Sequence, residues 1–303
     1  MRTQRLLQSI SLLIFASVIA TAAAPFGERL LLAWLLAFDP AASLGTFLAA
    51  RAIFAGIGAA LLLLLATSLF GRFFCGHLCP LGSFIDLSDR VAQRKNRSRP
   101  NLSRLRSLTF LLLFGAAAGG VSLLFLAAPL AIATRFTALL LEPLAREGVA
   151  AALDLARPAA HRWSWDLVVF AQIRTPGYQP LAPLLILTLA PLLGALIAPR
   201  FWCRALCPAG ALFSLAARHP AWKRQVTEDC IGCGKCQARC PGQAIPEDPR
   251  ATRYGECLTC RLCLEICPQQ AIRFSFGAAT RPILSSQPDP ERRALLAGGA
   301  VLL

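Results

Sequence analysis

The strongest structural signal in the chain is a doubled run of cysteines: CIGCGKCQARCP at 230–241 and CLTCRLCLEICP at 257–268. Both runs follow the pattern C-x2-C-x2-C-x3-C-P. Three closely spaced thiolates can occupy three corners of a cubane iron–sulfur cluster, and the fourth ligand then comes from elsewhere in the chain. Zinc sites seldom use a triple of cysteines followed by a fourth. The runs therefore predict two [4Fe–4S] clusters in a small α+β domain of the bacterial ferredoxin type.

The spacing also predicts which cysteines share a cluster, because the fourth cysteine of such a run ligates the other cluster. Cluster I is predicted to use Cys230, Cys233, Cys236 and Cys267. Cluster II is predicted to use Cys257, Cys260, Cys263 and Cys240. The tripeptide QAI follows each run, at 243–245 and 270–272, and is predicted to lead into a short strand.

The other four of the twelve cysteines lie in a second repeat. RFFCGHLCPLG begins at Arg72 and RFWCRALCPAG begins at Arg200, and residues 72–87 and 200–215 share 8 of 16 positions. The cysteines of the two phrases are a complete ligand set for a candidate third centre: Cys75, Cys79, Cys203 and Cys207. A third [4Fe–4S] cluster, a thiol–disulfide relay and a zinc or copper site all stay open. His77, inside the first phrase, is either a metal ligand or quinone-linked acid, or a surface histidine.

The remaining sequence is strongly apolar, with 56% hydrophobic residues among 303 and a mean hydropathy of +0.56. Four segments approach the roughly 20 residues that a transmembrane helix needs: 6–24, 52–70, 107–127 and 181–198. They predict an α-helical integral membrane protein with about four transmembrane helices in two repeated hairpins. The shorter apolar run at 30–38 is predicted to be an interfacial or re-entrant helix. A cleavable signal peptide ending at 22–24 is the alternative for the first segment.

The charge distribution predicts topology rather than a nucleic-acid partner. The net charge is +15, but the basic residues cluster beside apolar segments. Residues 71–106 carry eight Lys and Arg against two Asp, whereas residues 128–180 carry five against four acidic residues. Because cytoplasmic loops are rich in Lys and Arg, the N-terminus and both C-x3-C-P phrases are predicted on the cytoplasmic side of a bacterial inner membrane. Trp163 and Trp165 suit the opposite membrane interface.

Three units are predicted along the chain: a membrane domain at 1–220, a ferredoxin domain at 221–280, and a tail at 281–303. In the tail, Arg292 and Arg293 precede a short apolar stretch that is either the start of a further span or similar to a twin-arginine export signal. None of the three histidines lies mid-span and no C-x-x-C-H is present, so haem is not predicted. No hydrolytic triad or carboxylate pair stands out. An electron-transfer subunit is predicted rather than a stand-alone enzyme.

The four apolar segments, the paired C-x3-C-P phrases and the double ferredoxin run together resemble the membrane-bound polyferredoxins (NapH-, NosR- and CcoG-type 4Fe–4S membrane proteins). The matching positions are the eight ferredoxin cysteines with Cys75, Cys79, Pro80, Cys203, Cys207 and Pro208. The resemblance implies electron transfer between the quinone pool or a redox partner, such as a periplasmic oxidoreductase, and clusters on the cytoplasmic face. The alternative that it also implies is an assembly or metal-handling factor, such as a membrane cupric reductase, or a redox regulator. The flavin-attachment sequence and large periplasmic domain of NosR-type proteins are not found.

Overall fold

The computed structural model describes residues 2–23, 33, 35–53, 56–92, 102–162 and 181–277. Two sequence predictions fall wholly outside these residues: the tryptophans at 163 and 165 and the twin-arginine tail. The interfacial helix predicted at 30–38 is described in part, at 33 and 35–38.

The described chain before residue 220 is helical. Eleven α-helices are described there: α1 (Arg2–Ala23), α2 (Pro40–Ala50), α3 (Gly56–Phe70), α4 (Pro80–Val91), α5 (Ser103–Ala118), α6 (Leu124–Ala127), α7 (Pro129–Phe136), α8 (Glu142–Arg162), α9 (Leu181–Leu193), α10 (Phe201–Ala205) and α11 (Pro208–Ala216). Two π-helical turns, Phe74–Leu78 and Thr137–Leu141, and a 3-10 turn, Gly194–Leu196, join some of them. Proline opens four helices, as expected where the missing N–H costs no hydrogen bond.

Only the first predicted span is a helix of full transmembrane length in the described part of the chain. Within α1, the window Gln4–Thr21 is long and apolar enough to cross a bilayer, and 11% of it is buried. Helices α3, α5 and α9 have 15, 16 and 13 residues, short of the roughly 20 that a span needs. The predicted span 107–127 is corrected most clearly. Its helix ends at Ala118, before Gly119 and Gly120, and α6 follows as a separate turn.

The segments predicted as loops are also corrected, because they are helical and meet inside the fold. Helix α4 lies in the loop predicted for one membrane face, and α7 lies in the loop predicted for the other. Nevertheless the rings of Phe84 and Phe136 stand 4.7 Å apart. Asp39, before α2, accepts a hydrogen bond from the backbone N–H of Leu130 in α7. The fold is therefore more interleaved than two simple hairpins.

The ferredoxin domain is built as two pseudo-equivalent halves. Strand β1 (Trp222–Val226) precedes α12 (Lys235–Arg239), and a 3-10 turn (Tyr254–Glu256) and α13 (Leu262–Ile266) precede β2 (Ile272–Phe276). The strands pair antiparallel, with Trp222 opposite Phe276. The second QAI leads into β2 as predicted. The first does not lead into a strand, because β2 pairs with β1, which lies before the first cysteine run.

Candidate iron–sulfur centres

The two ferredoxin runs surround two separate cavities. The first is lined by Cys230, Cys233, Cys236 and Cys267. The second is lined by Cys257, Cys260, Cys263 and Cys240. Each cavity is thus lined by one of the two cysteine sets that the spacing predicts. Two cavities, each with four thiols and mainly apolar walls, suit two copies of one cofactor.

Each run reaches its cavity through a backbone that turns into the left-handed region. In the first run these positions are Gly232 and Gly234, with φ of 71° and 67°. In the second they are Thr259 and Arg261, with φ of 49° and 61°. A side chain in this region costs roughly 1–2 kcal/mol per residue. The second run has the same left-handed positions as the first, although it carries Thr and Arg there instead of glycine. The backbone conformation is therefore set by the fold around the cavity, and not by the intrinsic preference of these residues.

The fourth cysteine of each run lines the other cavity, and a short helix carries the chain there from the third. Helix α12 contains Cys236 and ends just before Cys240, and α13 contains Cys263 and ends just before Cys267. Cys240 and Cys267 then adopt nearly the same extended backbone, with φ/ψ of −70°/113° and −73°/114°. The proline that follows each of them disfavours a helical conformation at the cysteine.

The two C-x3-C-P phrases before residue 220 have the same extended backbone at the cysteine that precedes their proline. Cys79 and Cys207 have φ/ψ of −69°/117° and −70°/115°, and Pro80 and Pro208 then open α4 and α11. These values match those at the fourth cysteines of the ferredoxin runs. The two phrases therefore share a local backbone, and not only a spacing, with motifs that border iron–sulfur cavities.

All four cysteines of the paired phrases are buried in one hydrophobic core. Burial raises the pKa of the Cys79 and Cys207 thiols well above the usual value, and negative charge at Cys75 and Cys203 raises each further. Burial likewise raises the pKa of Cys203 to about 12, although Arg200 opposes the shift. Three buried thiols whose ionisation is opposed in this way suit a site where bound metal supplies the compensating positive charge.

Two fully buried arginines link the paired phrases by crossing between them. Arg72 opens the first phrase and donates to the backbone oxygen of Cys203 at 3.3 Å. Arg200 opens the second phrase and donates to the backbone oxygen of Cys75 at 2.8 Å. Each side chain is 1% exposed and carries a carboxylate partner, Glu256 for Arg72 and Asp86 for Arg200. The sequence repeat is thus a reciprocal contact in space.

Glycine at the eleventh position of each phrase allows a close backbone approach to the first cysteine of the same phrase. A Cβ on Gly82 would lie 2.8 Å from the backbone oxygen of Cys75, and one on Gly210 would lie 2.7 Å from that of Cys203. Helices α4 and α11 therefore fold back against the first cysteine of their own phrase, which holds both cysteines of each phrase at the same core.

Across the described residues, no group of three or more His, Cys, Asp or Glu side chains is placed to hold one metal ion. His77 faces Phe73, whose backbone oxygen lies 3.1 Å from Nδ1, and burial lowers its pKa. It is a half-buried histidine whose ring contacts its own turn.

The four-cysteine core contacts the ferredoxin domain on the side of the second cavity. Leu258 belongs to the core around the four cysteines, and Cys260 packs against that core. The backbone oxygen of Leu258 lies 2.7 Å from where a Cβ on Gly76 would be. Arg72 reaches the same segment, donating to the backbone oxygen of Gly255 at 3.2 Å. The first cavity lies further out, and its Cys233 is exposed.

Sequence reasoning missed the buried polar residues of these sites. Arg72 and Arg200 were visible as identical positions of the repeat, but nothing in their spacing indicated a crossing. No sequence pattern indicated Asp86 or Glu256 as the partners of these arginines. Arg224, which lines both ferredoxin cavities, lies outside every motif.

Comparisons with known proteins agree with this chemistry. Residues 52–99 and 181–227 match a family model described as a 4Fe-4S binding domain, and each match contains one C-x3-C-P phrase. Residues 221–268 match a model described as a 4Fe-4S dicluster domain. No solved structure gives a significant match.

Two curated proteins match short parts of the chain. An uncharacterized protein of Methanocaldococcus jannaschii is 37% identical over 78 residues, which are 25% of this chain and 30% of that protein. "Putative electron transport protein YccM" of Escherichia coli is 43% identical over 58 residues, 19% of this chain and 16% of that protein. The chain thus spans less than a third of either relative. The family models thus define an iron–sulfur protein with [4Fe–4S] binding domains.

Proposed function

We propose that the chain is a membrane-bound electron carrier that passes electrons between the quinone pool, or a redox partner, and ferredoxin-type clusters on the cytoplasmic face. Cluster I takes Cys230, Cys233, Cys236 and Cys267. Cluster II takes Cys257, Cys260, Cys263 and Cys240. The observation that carries the proposal is the contact between the second ferredoxin cavity and a buried core holding four further cysteines.

A third [4Fe–4S] cluster at Cys75, Cys79, Cys203 and Cys207 is the centre that this core supports best. The thiols are buried together, and two buried arginines provide positive charge beside them. The Nε atom of Arg72 is buried without a hydrogen-bond partner among the described residues, so it is a donor for a sulfur of the bound group. A thiol–disulfide relay has less support, because burial raises the pKa of the Cys79 and Cys207 thiols and keeps all four thiols away from solvent.

The contacts favour one order along the chain of centres. Electrons pass between the four-cysteine centre and cluster II, which borders it through Leu258 and Cys260. Cluster I is further out, and beside it Ile231 is 64% exposed, so it exchanges electrons with a soluble partner. The direction of flow depends on cluster potentials, which hydrogen bonding and burial set over a range of about −700 to +450 mV.

Membrane attachment is supported by exposed apolar side chains of the helical region before residue 220. Leu13 on α1, Leu62 on α3 and Leu112 on α5 are 64–72% exposed, and other exposed leucines lie on the same helices. Large apolar side chains exposed in this number are typical of a surface that meets a membrane or a partner. In a bilayer, α4 and α7 would enter from opposite faces and meet, since irregular helix ends are tolerated where protein covers them. The location proposed is the bacterial inner membrane, with the C-x3-C-P motifs on the cytoplasmic side.

The test is reduction by a quinol. Anaerobically purified protein in lipid nanodiscs is mixed with a reduced quinone analogue, and cluster reduction is followed by EPR and loss of visible absorbance. We expect the ferredoxin clusters of the wild type to become reduced. Those of a Cys75→Ser, Cys203→Ser double variant should respond to dithionite but not to quinol. Equal reduction of both proteins by quinol would contradict the proposed path, and reactivity with Cu(II) in place of quinol would favour a metal-handling factor.

A further inference from the structure

The side chain of Arg224 occupies the wall between the two ferredoxin cavities. Arg224 is the central residue of β1 and its only buried one, 2% exposed, because the alternation of the strand turns it inward. It lines the cavity of Cys230, Cys233, Cys236 and Cys267 and also the cavity of Cys240, Cys257, Cys260 and Cys263. Among the described residues, no other charged side chain lines both cavities.

The guanidinium group lies beside thiols of both sets. Nη2 lies 3.7 Å from Sγ of Cys236, a predicted ligand of cluster I. Arg224 also shares the wall of the second cavity with Cys263, a predicted ligand of cluster II. One cation is therefore shared between two sites that are otherwise separate.

Arg224 has no carboxylate partner among the described residues, unlike Arg72 and Arg200. Its remaining hydrogen bonds go to neutral acceptors: the backbone oxygens of Pro249 at 2.8 Å and Ala251 at 3.3 Å, and the hydroxyl of Thr252 at 2.9 Å. Its Nε is buried without any partner. A buried charge is costly unless something of opposite sign compensates it. Clusters held by four thiolates on either side would supply that negative charge.

We propose that Arg224 sets the reduction potentials of clusters I and II together, as a fixed positive charge in the wall between them. The inference rests on the ligand sets of the proposed function. Reduction adds one electron to a cluster, with no bond made or broken, and leaves the site one charge more negative. A nearby cation therefore stabilises the reduced form of either cluster and raises both potentials.

The experiment is an anaerobic redox titration of the full chain, followed by EPR, on the wild type and on Arg224→Gln, Arg224→Lys and Lys223→Met. We expect Arg224→Gln to shift both clusters to more negative potentials. At a fixed potential, the ratio of reduced to oxidised cluster should fall at least tenfold, which is about 59 mV for one electron. Arg224→Lys, which keeps the charge, should shift them less. Lys223→Met removes a charge from the neighbouring position of β1 and should have the smallest effect.

Iron content and dithionite-reduced EPR spectra are recorded first, so that the two ideas fail separately. A wild-type protein that holds fewer than two clusters would contradict the proposed function itself. Two clusters with unchanged potentials in Arg224→Gln, or equal shifts in the Gln and Lys variants, would refute only the role of Arg224. A shift confined to one cluster would refute the sharing. Loss of both clusters in every Arg224 variant would make the residue structural and overturn the proposal.

Discussion

Removal of the arginine from two ion pairs of equal length should differ about tenfold in its cost to stability, because one pair is more deeply buried than the other. Arg200 Nη2 and Asp86 Oδ2 are 2.6 Å apart, with side chains 1% and 15% exposed. Arg146 Nη2 and Glu142 Oε1 are also 2.6 Å apart, on α8, with side chains 34% and 19% exposed. The second pair is thus a matched control for the first.

Arg200→Met leaves Asp86 partly buried without its cation and also frees the backbone oxygen of Cys75. Breaking a buried pair in this way costs about 3–5 kcal/mol. The exposed pair follows the i, i+4 spacing of a helix, where such contacts contribute about 0.3–0.5 kcal/mol. For domains of this order of size, each kcal/mol lowers Tm by about 2–4 °C. We expect Arg200→Met to lower Tm by roughly 6–20 °C and Arg146→Met by no more than about 2 °C.

The assay is thermal unfolding of the anaerobic, detergent-solubilised protein at one scan rate, because irreversible unfolding makes the apparent Tm depend on that rate. Iron is measured before each scan. The double variant Asp86→Asn, Arg200→Met removes both charges and should regain part of the loss, since no uncompensated carboxylate remains. Equal Tm changes in Arg200→Met and Arg146→Met would refute the reasoning.

Three further predictions concern packing, pH and topology. Gly82→Ala should destabilise the protein by about 1–3 kcal/mol, because its methyl group would meet a backbone oxygen at 2.8 Å. Gly58→Ala, in a helix with nothing within 4 Å, should leave Tm unchanged or raise it. Burial raises the pKa of Asp39 to about 6, so the folded state binds its proton more tightly than the unfolded state does. Its contribution to stability should therefore fall by about 1 kcal/mol from pH 5 to pH 7, and Asp39→Asn should remove that slope from the Tm profile. An alkaline phosphatase fusion near Glu147 should be active and one near Arg97 inactive; the reverse result would overturn the orientation.

The cysteine chemistry could be predicted from the sequence because thiolate ligands obey strict spacing. The C-x2-C-x2-C-x3-C-P runs predicted the two cysteine groups that line the two cavities. The second repeat likewise predicted that Cys75, Cys79, Cys203 and Cys207 would come together, and they share one core. Spacing alone did not say which centre would lie next to which. That follows from Leu258 and Gly76, whose contact joins residues distant in sequence.

Helix lengths and buried charges were beyond sequence reasoning for physical reasons. A hydropathy window averages over Gly119 and Gly120. It therefore predicts one continuous span at 107–127, although α5 ends at Ala118. Buried arginines are rare, so the sequence assigns Arg72 to a positive-inside loop and both Arg72 and Arg200 only to a repeat. Each is buried against a carboxylate far along the chain, Glu256 for Arg72 and Asp86 for Arg200.

The central claim is that the paired C-x3-C-P phrases hold a third cluster that extends the path from the ferredoxin domain into the membrane domain. The most direct measurement is iron and acid-labile sulfide per chain in protein purified without oxygen. We predict about twelve irons per chain, falling to about eight in Cys75→Ser, Cys203→Ser with the ferredoxin EPR signals retained. About eight irons in the wild type, unchanged in that variant, would contradict the account.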